Sequence, residues 1–276
     1  NSARGTRANG PPKSVSAPEG LFNMVEDFEA GVEFVKHKNV SAVAFTGSTP
    51  GGRALFDIAQ SRKDPIPFYG ELGGLNPIFV TEEASAKNAA TIAQGFLDSV
   101  NLGAGQFCTK PGYLILVNGD LVRNEIVNLV PNVATHAMLN EKIRAAHDLN
   151  RSAYAGLPFV KLLAQGVATS DAIEPITIFE ISGADLLANQ EVTLKEVFGP
   201  TAVVVNCQSN DEALAIKSAT LFVLIGALGG VLIPALAQIS LGSESKDVTL
   251  GAAVAAALST VFLIVSFREK VSTTPQ

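Results

Sequence analysis

Apolar and polar positions alternate along most of this chain in blocks of two kinds. Short runs rich in β-branched and aromatic residues predict strands at Val40–Phe45, Pro77–Val80, Tyr113–Val117, Ile176–Ile181 and Thr201–Val205. Between them, longer segments with apolar residues at helical spacing predict helices at Gly51–Ser61, Ala84–Val100 and Asn140–Arg151. Two starts carry recognisable caps. Ser48 or Thr49 precedes the first helix, and Thr81 precedes the second, with Glu82 and Glu83 in its first turn where the helix dipole favours acids. Strands alternating with helices argue for an α/β fold, a sheet with helices on both faces. No internal repeat is visible.

The pattern changes at both ends. Residues 1–20 are rich in Gly, Pro, Ser and Arg without apolar periodicity, which reads as a loop or disordered tail without the apolar core of a signal peptide. After Lys217 the chain runs from Ala219 to Leu241 without a charge, and again from Leu250 to Phe267, separated by the polar loop 242–249. The first run is long enough to span a membrane and the second is at the limit. Lys217 before the pair, with Arg268 and Lys270 after it, would place both ends on the cytoplasmic side. Two buried soluble helices are the alternative. Residues Gly229-Gly230-Val231-Leu232-Ile233-Pro234 weakly resemble the last helices of a major-facilitator transporter.

Candidate chemistry sits in the loops. Gly103-Ala104-Gly105-Gln106-Phe107-Cys108-Thr109-Lys110-Pro111-Gly112 places one of only 2 cysteines in a glycine-rich polar stretch. Glycines let backbone approach a ligand, and backbone N–H groups can hold a thiolate, so Cys108 reads as a nucleophile. Glu71, in Phe68-Tyr69-Gly70-Glu71-Leu72-Gly73-Gly74, has apolar neighbours; burial there would raise its pKa toward that of a general base. Phe45-Thr46-Gly47-Ser48 reads as a strand, a tight turn and a helix N-terminus able to receive phosphate. Glu196-Val197-Phe198-Gly199-Pro200 precedes the last strand. Cys207 follows an apolar run and reads as inert packing. The histidines His37, His136 and His147 are scattered without metal-ligand spacing, so no metal is expected. Gly103-x-Gly105 does not extend to a dinucleotide fingerprint.

Taken in order, F-T-G-S, E-L-G-G, G-Q-x-C and E-x-F-G-P resemble the aldehyde dehydrogenase superfamily from about Gly31 to about Ile216. The wording around Pro65–Glu71 and Gly103–Gly112 looks most like the branch that oxidises 2-oxoglutarate semialdehyde. The resemblance implies a partial aldehyde dehydrogenase-like fold of open, parallel-rich sheets with flanking helices, followed by the hydrophobic helical hairpin. It implies NAD(P)-dependent oxidation of an aldehyde to its acid through a cysteine thioester. Cys108 is then the nucleophile and one oxyanion donor through its N–H, and Glu71 the general base for the hydrolytic water. Gly47 and Ser48 fall where the family's cofactor-binding turn meets the dinucleotide; Glu196 grips the nicotinamide ribose, with Phe198 beside the ring. The domains expected are a loop over 1–30, a remnant of the cofactor-binding domain over 31–70, a thiol domain over 71–216 and a hairpin over 217–276.

The chain departs from that pattern in front, where the family carries a Pro-Trp-Asn motif and a ribose-binding lysine; there is no Trp here. The departure after Lys217 reads as a junction between a dehydrogenase segment and a foreign hydrophobic tail. Both count against full turnover, and the competing reading is an inactive fragment held to membrane by that tail. The net charge of −6 excludes a basic nucleic-acid footprint, and two cysteines give no disulfide framework and suit a reducing cytoplasm. The expected partner is a small aldehyde; NAD against NADP and the oligomeric state stay open.

Overall fold

The computed structural model describes residues 23–168, 170 and 173–220. They fall into two compact units, one ending at Leu72 and the other beginning at Gly73.

The first unit is small. Helix α1 (Phe28–Lys36) is capped by Asp27, whose carboxylate accepts the Glu29 N–H at 2.7 Å. Strand β1 (Val43–Thr46) leads through Gly47 into α2 (Thr49–Ser61), and β2 (Phe68–Glu71) pairs in parallel with β1, Thr46 opposite Glu71. Ser48 is the cap of α2, its hydroxyl accepting the Gly51 N–H at 3.3 Å. Val35, Phe56, Ala59, Ile66 and Phe68 form the core, with Phe56 edge-on to Phe68 at 5.9 Å between ring centroids. Arg62 joins the helix ends by donating to Val35 O and Val40 O at 3.1 and 3.0 Å. The expected loop over 1–30 ends early, because α1 begins at Phe28. Phe28, Val32 and Val35 recur at helical spacing behind the Asp27 cap, and Val35 is buried.

The second unit carries a five-stranded sheet. Its elements are β3 (Pro77–Val80), α3 (Glu82–Asn101), β4 (Tyr113–Val117), α4 (Asp120–Leu129), α5 (Glu141–Ala155), β5 (Lys161–Gln165), β6 (Thr177–Ser182), α6 (Gly183–Ala188), α7 (Gln190–Thr193), β7 (Thr201–Cys207) and a helix α8 over residues 210–220. The strand order is β3-β4-β7-β6-β5, parallel except for β5, which runs antiparallel to β6 with a register shift between Leu162 and Ala164.

Side-chain alternation sorts the sheet into two cores. Leu114, Leu116, Ile178, Ala202 and Val204 pack beneath α3 and α4 against Phe96, Leu97, Val100, Val122 and Ile126. Tyr113, Ile115, Phe179, Val203 and Val205 face the other way, toward Tyr154 of α5, Leu186 of α6 and Ile216 of α8. All five residues of β4 are buried because the strand is central and covered on both faces. Each large aliphatic side chain there contributes roughly 1.5–3 kcal/mol of burial, so Leu114→Ala would weaken the whole layer.

The α/β expectation holds for these residues, as a mixed, mainly parallel sheet with flanking helices. The predicted helices are longer than their sequence spans by a turn or less; Thr81 caps α3 as expected, and Asn140 caps α5 where the pattern makes it the first helical residue. Strands β2 and β5 and helices α1, α4, α6, α7 and α8 add to the predicted set. Among the described residues no helix is long and apolar enough to cross a membrane. The hairpin expected at 217–276 lies outside the described residues after Thr220, as does the tail over 1–20.

Candidate active site

Three parallel strands enter the second unit's sheet side by side, and their amino-terminal approaches carry the candidate residues. Leu75 and Asn76 lead into β3, Cys108 to Gly112 into β4, and Glu196 to Pro200 into β7. Gly112 ties the three together just before β4 begins: its N–H donates to Leu75 O at 3.0 Å, and its carbonyl accepts the N–H of Val203 in β7 at 2.9 Å.

Cys108 stands on an exposed turn after α3. The chain reaches it through a short 3-10 turn, Leu102–Gly105, in which Gly103, Ala104 and Gly105 all have positive φ. Such a left-handed run suits glycine and strains alanine, so Ala104 is held there by its complete burial. Asn76, itself at φ 43, donates its side-chain amide to Cys108 O at 2.7 Å and Lys110 O at 3.0 Å. The Lys110 N–H closes the turn on Phe107 O at 3.1 Å. The thiol is therefore exposed while its backbone is fixed from both sides.

Below the turn, Lys110 is only 4% exposed, and its ammonium donates to Val197 O at 2.9 Å and Thr201 O at 2.7 Å. Burial lowers its pKa to about 8, against the opposing pull of the Glu196 carboxylate. Glu196 is half-buried; burial raises its pKa, while Lys110 and the Gly74 N–H favour its charged form. The Tyr113 hydroxyl reaches the carbonyls of Thr193 and Lys195, fixing the chain just before Glu196. Phe198 is half-buried and precedes Gly199, whose φ is 142. A Cβ on Gly199 would meet the His147 imidazole at 2.3 Å, and His147 Nε2 lies 2.9 Å from Thr201 Oγ1.

The structure thus brings the segments of Cys108, Glu196 and Phe198 together in one unit. Gly47, Ser48 and Glu71 lie in the other, where Gly47 N–H donates to Glu71 O at 3.0 Å. Glu71 corrects one expectation: its side chain is exposed, not buried. Along β2, Phe68 faces the core and Tyr69 faces out, and Glu71 shares the parity of Tyr69. Cys207 is buried as expected, its thiol pushed up to about 12 by burial. His136 lies in a loop, and among the described residues no group of His, Cys, Asp and Glu could hold a metal ion.

Lys110, Asn76, Thr201 and His147 are structural members of the site that sequence patterns did not single out. Asn76-Pro77 directly before a strand is a local turn signal that could have flagged Asn76. Nothing local announces that Lys110 is buried.

The model of the aldehyde dehydrogenase family matches residues 13–149. The chain is 36% identical over 208 residues to alpha-ketoglutaric semialdehyde dehydrogenase 2 of Azospirillum brasilense, covering 73% of this chain and 39% of that protein. It is 34% identical over 201 residues to alpha-ketoglutaric semialdehyde dehydrogenase of Acinetobacter baylyi, covering 71% of this chain and 38% of the relative. The chain therefore spans about two fifths of the length of these curated relatives. Among solved structures, an NAD-dependent benzaldehyde dehydrogenase from Corynebacterium glutamicum shares the fold with a TM-score of 0.63 at 21% identity, over 74% of this chain and 45% of that one. By the matched residues and the two semialdehyde dehydrogenase relatives, this chain carries an aldehyde dehydrogenase family domain.

Proposed function

We propose that this chain serves NAD(P)-dependent oxidation of an aldehyde to its acid, with a semialdehyde such as 2-oxoglutarate semialdehyde as substrate. The observation that carries the reading is the exposed Cys108 thiol on a turn whose carbonyls are clamped by Asn76. The first unit is then the remnant of a dinucleotide-binding domain and the second the thiol domain.

The residues fit the dinucleotide in parts. The exposed N-terminus of α2 offers a pyrophosphate the Thr49 N–H and the positive end of the helix dipole; Pro50 has no N–H, and the Gly51 N–H is taken by the Ser48 hydroxyl. Glu196, held by Lys110 and Gly74, is an acceptor suited to ribose hydroxyls, with Phe198 two residues on. The bound nicotinamide would supply a hydride acceptor.

On this reading the Cys108 thiolate attacks the aldehyde carbonyl carbon, and the carbonyl electron pair moves to oxygen, giving a thiohemiacetal. The Cys108 N–H donates to that oxygen. Loss of the aldehydic hydrogen as hydride leaves a thioester on Cys108. The family resemblance assigns to Glu71, exposed at the end of β2, the proton lost by the water that attacks the thioester; the thiolate leaves as the acid forms.

Reduced-nicotinamide absorbance with a panel of semialdehydes, NAD and NADP tests the proposal. Turnover lost in Cys108→Ala supports it, and a cooperatively melting protein without turnover on any pair refutes it. The uncharged runs at 219–241 and 250–267 support a second element, attachment of a cytoplasmic chain to membrane through a hairpin. Flotation with lipid vesicles tests it, and a protein that stays wholly at the bottom of the gradient overturns it.

A further inference from the structure

A buried lysine is an expensive way to fill space, because its charge must leave water. Lys110 is nonetheless kept two positions beyond Cys108, and its contacts run in two directions. Its backbone belongs to the thiol turn: the N–H closes onto Phe107 O, and the carbonyl accepts the Asn76 amide that also holds Cys108 O. Its ammonium belongs to the other approach, bonding Val197 O and Thr201 O on either side of Gly199. Both carbonyls sit on buried residues and would cost about 1–3 kcal/mol each if left unpaired. An apolar side chain of the same length would fill the space but leave them so.

We infer that Lys110 is a positioning residue: its backbone forms the turn of Cys108 while its ammonium holds the segment of Glu196 and Phe198, setting the distance between thiol and dinucleotide-binding carboxylate. The assignment rests on the roles proposed above for Cys108 and Glu196. Glu196 is the facing charge and His147 the neighbouring titratable ring. The burial that lowers the Lys110 pKa is consistent with the enclosure, and a neutral amine would still have a donor for each carbonyl.

The test uses the full chain with Lys110→Met, which removes both donors and keeps the stem, and Lys110→Arg, which keeps charge and donors. Hydrogen exchange without ligands should rise together at residues 106–110 and 196–201 in Lys110→Met. Its kcat should fall on the order of 10²-fold, as for a small misplacement of reacting groups, with the aldehyde KM within a few fold of wild type. Lys110→Arg should recover most of both effects. Exchange that rises in one segment alone, an unchanged kcat, or an Arg variant as impaired as Met overturns the inference. If Lys110→Met loses its cooperative melt, Lys110→Gln, with one remaining amide donor, takes its place under the same outcomes. A wild type without turnover refutes the proposed function, while the exchange pattern still decides whether Lys110 couples the two segments.

Discussion

The carbonyl oxygen of Gly199 lies 2.1 Å from where a Cβ on Gly105 would stand, so the thiol turn and the approach to β7 touch backbone to backbone. No side chain fits between them. Gly105 also has φ 68, a conformation that L side chains resist. Gly105→Ala should therefore lose about 2–5 kcal/mol from left-handed strain and overpacking together. Urea denaturation measures it, and a loss under about 1 kcal/mol would show that the contact yields easily.

The two cysteines should separate cleanly under alkylation. Cys108 is exposed and Cys207 is buried with its thiol pushed up to about 12. Iodoacetamide at neutral pH should add one adduct, at Cys108, and a second only in denaturant. Intact-mass spectrometry and peptide mapping read this directly, and native labelling of Cys207 would mean that the second core opens.

Asn76 should be more sensitive to charge than to truncation. Its amide faces the carbonyls of Cys108 and Lys110, so Asn76→Asp sets a carboxylate against two acceptors, whereas Asn76→Ala only removes the donor. Both lose a residue tolerant of φ 43, or the bonds that reward it. Turnover should fall on the order of 10- to 10²-fold in Asn76→Asp and less in Asn76→Ala. Equal rates in the two variants would show that the clamp does not act through its donor.

His147 gives the fold an acid-sensitive point. Burial first, then the charges of Arg151 and Lys110, lower its pKa from 6.5 to about 4. Between those values the unfolded chain binds a proton that the folded chain refuses, so stability contributed by the neutral ring is full above pH 6.5 and is lost as pH falls toward 4. The loss amounts to roughly 3 kcal/mol. Denaturant midpoints across that window should fall more steeply in wild type than in His147→Gln. Parallel slopes would assign the acid sensitivity to other groups.

What the chain's pattern discloses is mostly local. Ser48, Thr81 and Asn140 cap their helices because a side-chain oxygen needs only an N–H three residues ahead, a relation visible in sequence. The Cys108 loop is legible for the same reason: its glycines and polar neighbours are adjacent. Lys110 is not, because the carbonyls that make its burial tolerable lie 87 and 91 residues away. Glu71 misleads because Phe68, Tyr69 and Leu72 are apolar in composition, yet strand parity turns Tyr69 and Glu71 away from the core. Strand β5 is hidden because its burial does not alternate: Lys161 and Leu162, on opposite faces, are both open to solvent, and Leu163 and Ala164 are both half-buried. Its antiparallel pairing at the sheet edge follows from where β6 lies, not from its own residues.

The strand order β3-β4-β7 also sets an order of events in synthesis. The thiol turn is translated well before the acceptors of the Lys110 ammonium, which arrive up to 91 residues later. At roughly 5–20 residues per second, that is a wait of about 5–20 s before emergence from the ribosome is counted. During it, Lys110 has neither of its carbonyls and Gly105 has no Gly199 to lie against. A nascent chain paused short of Thr201 would display the cysteine without the structure that aims it. The thiol is made before the groups that hold it in place exist.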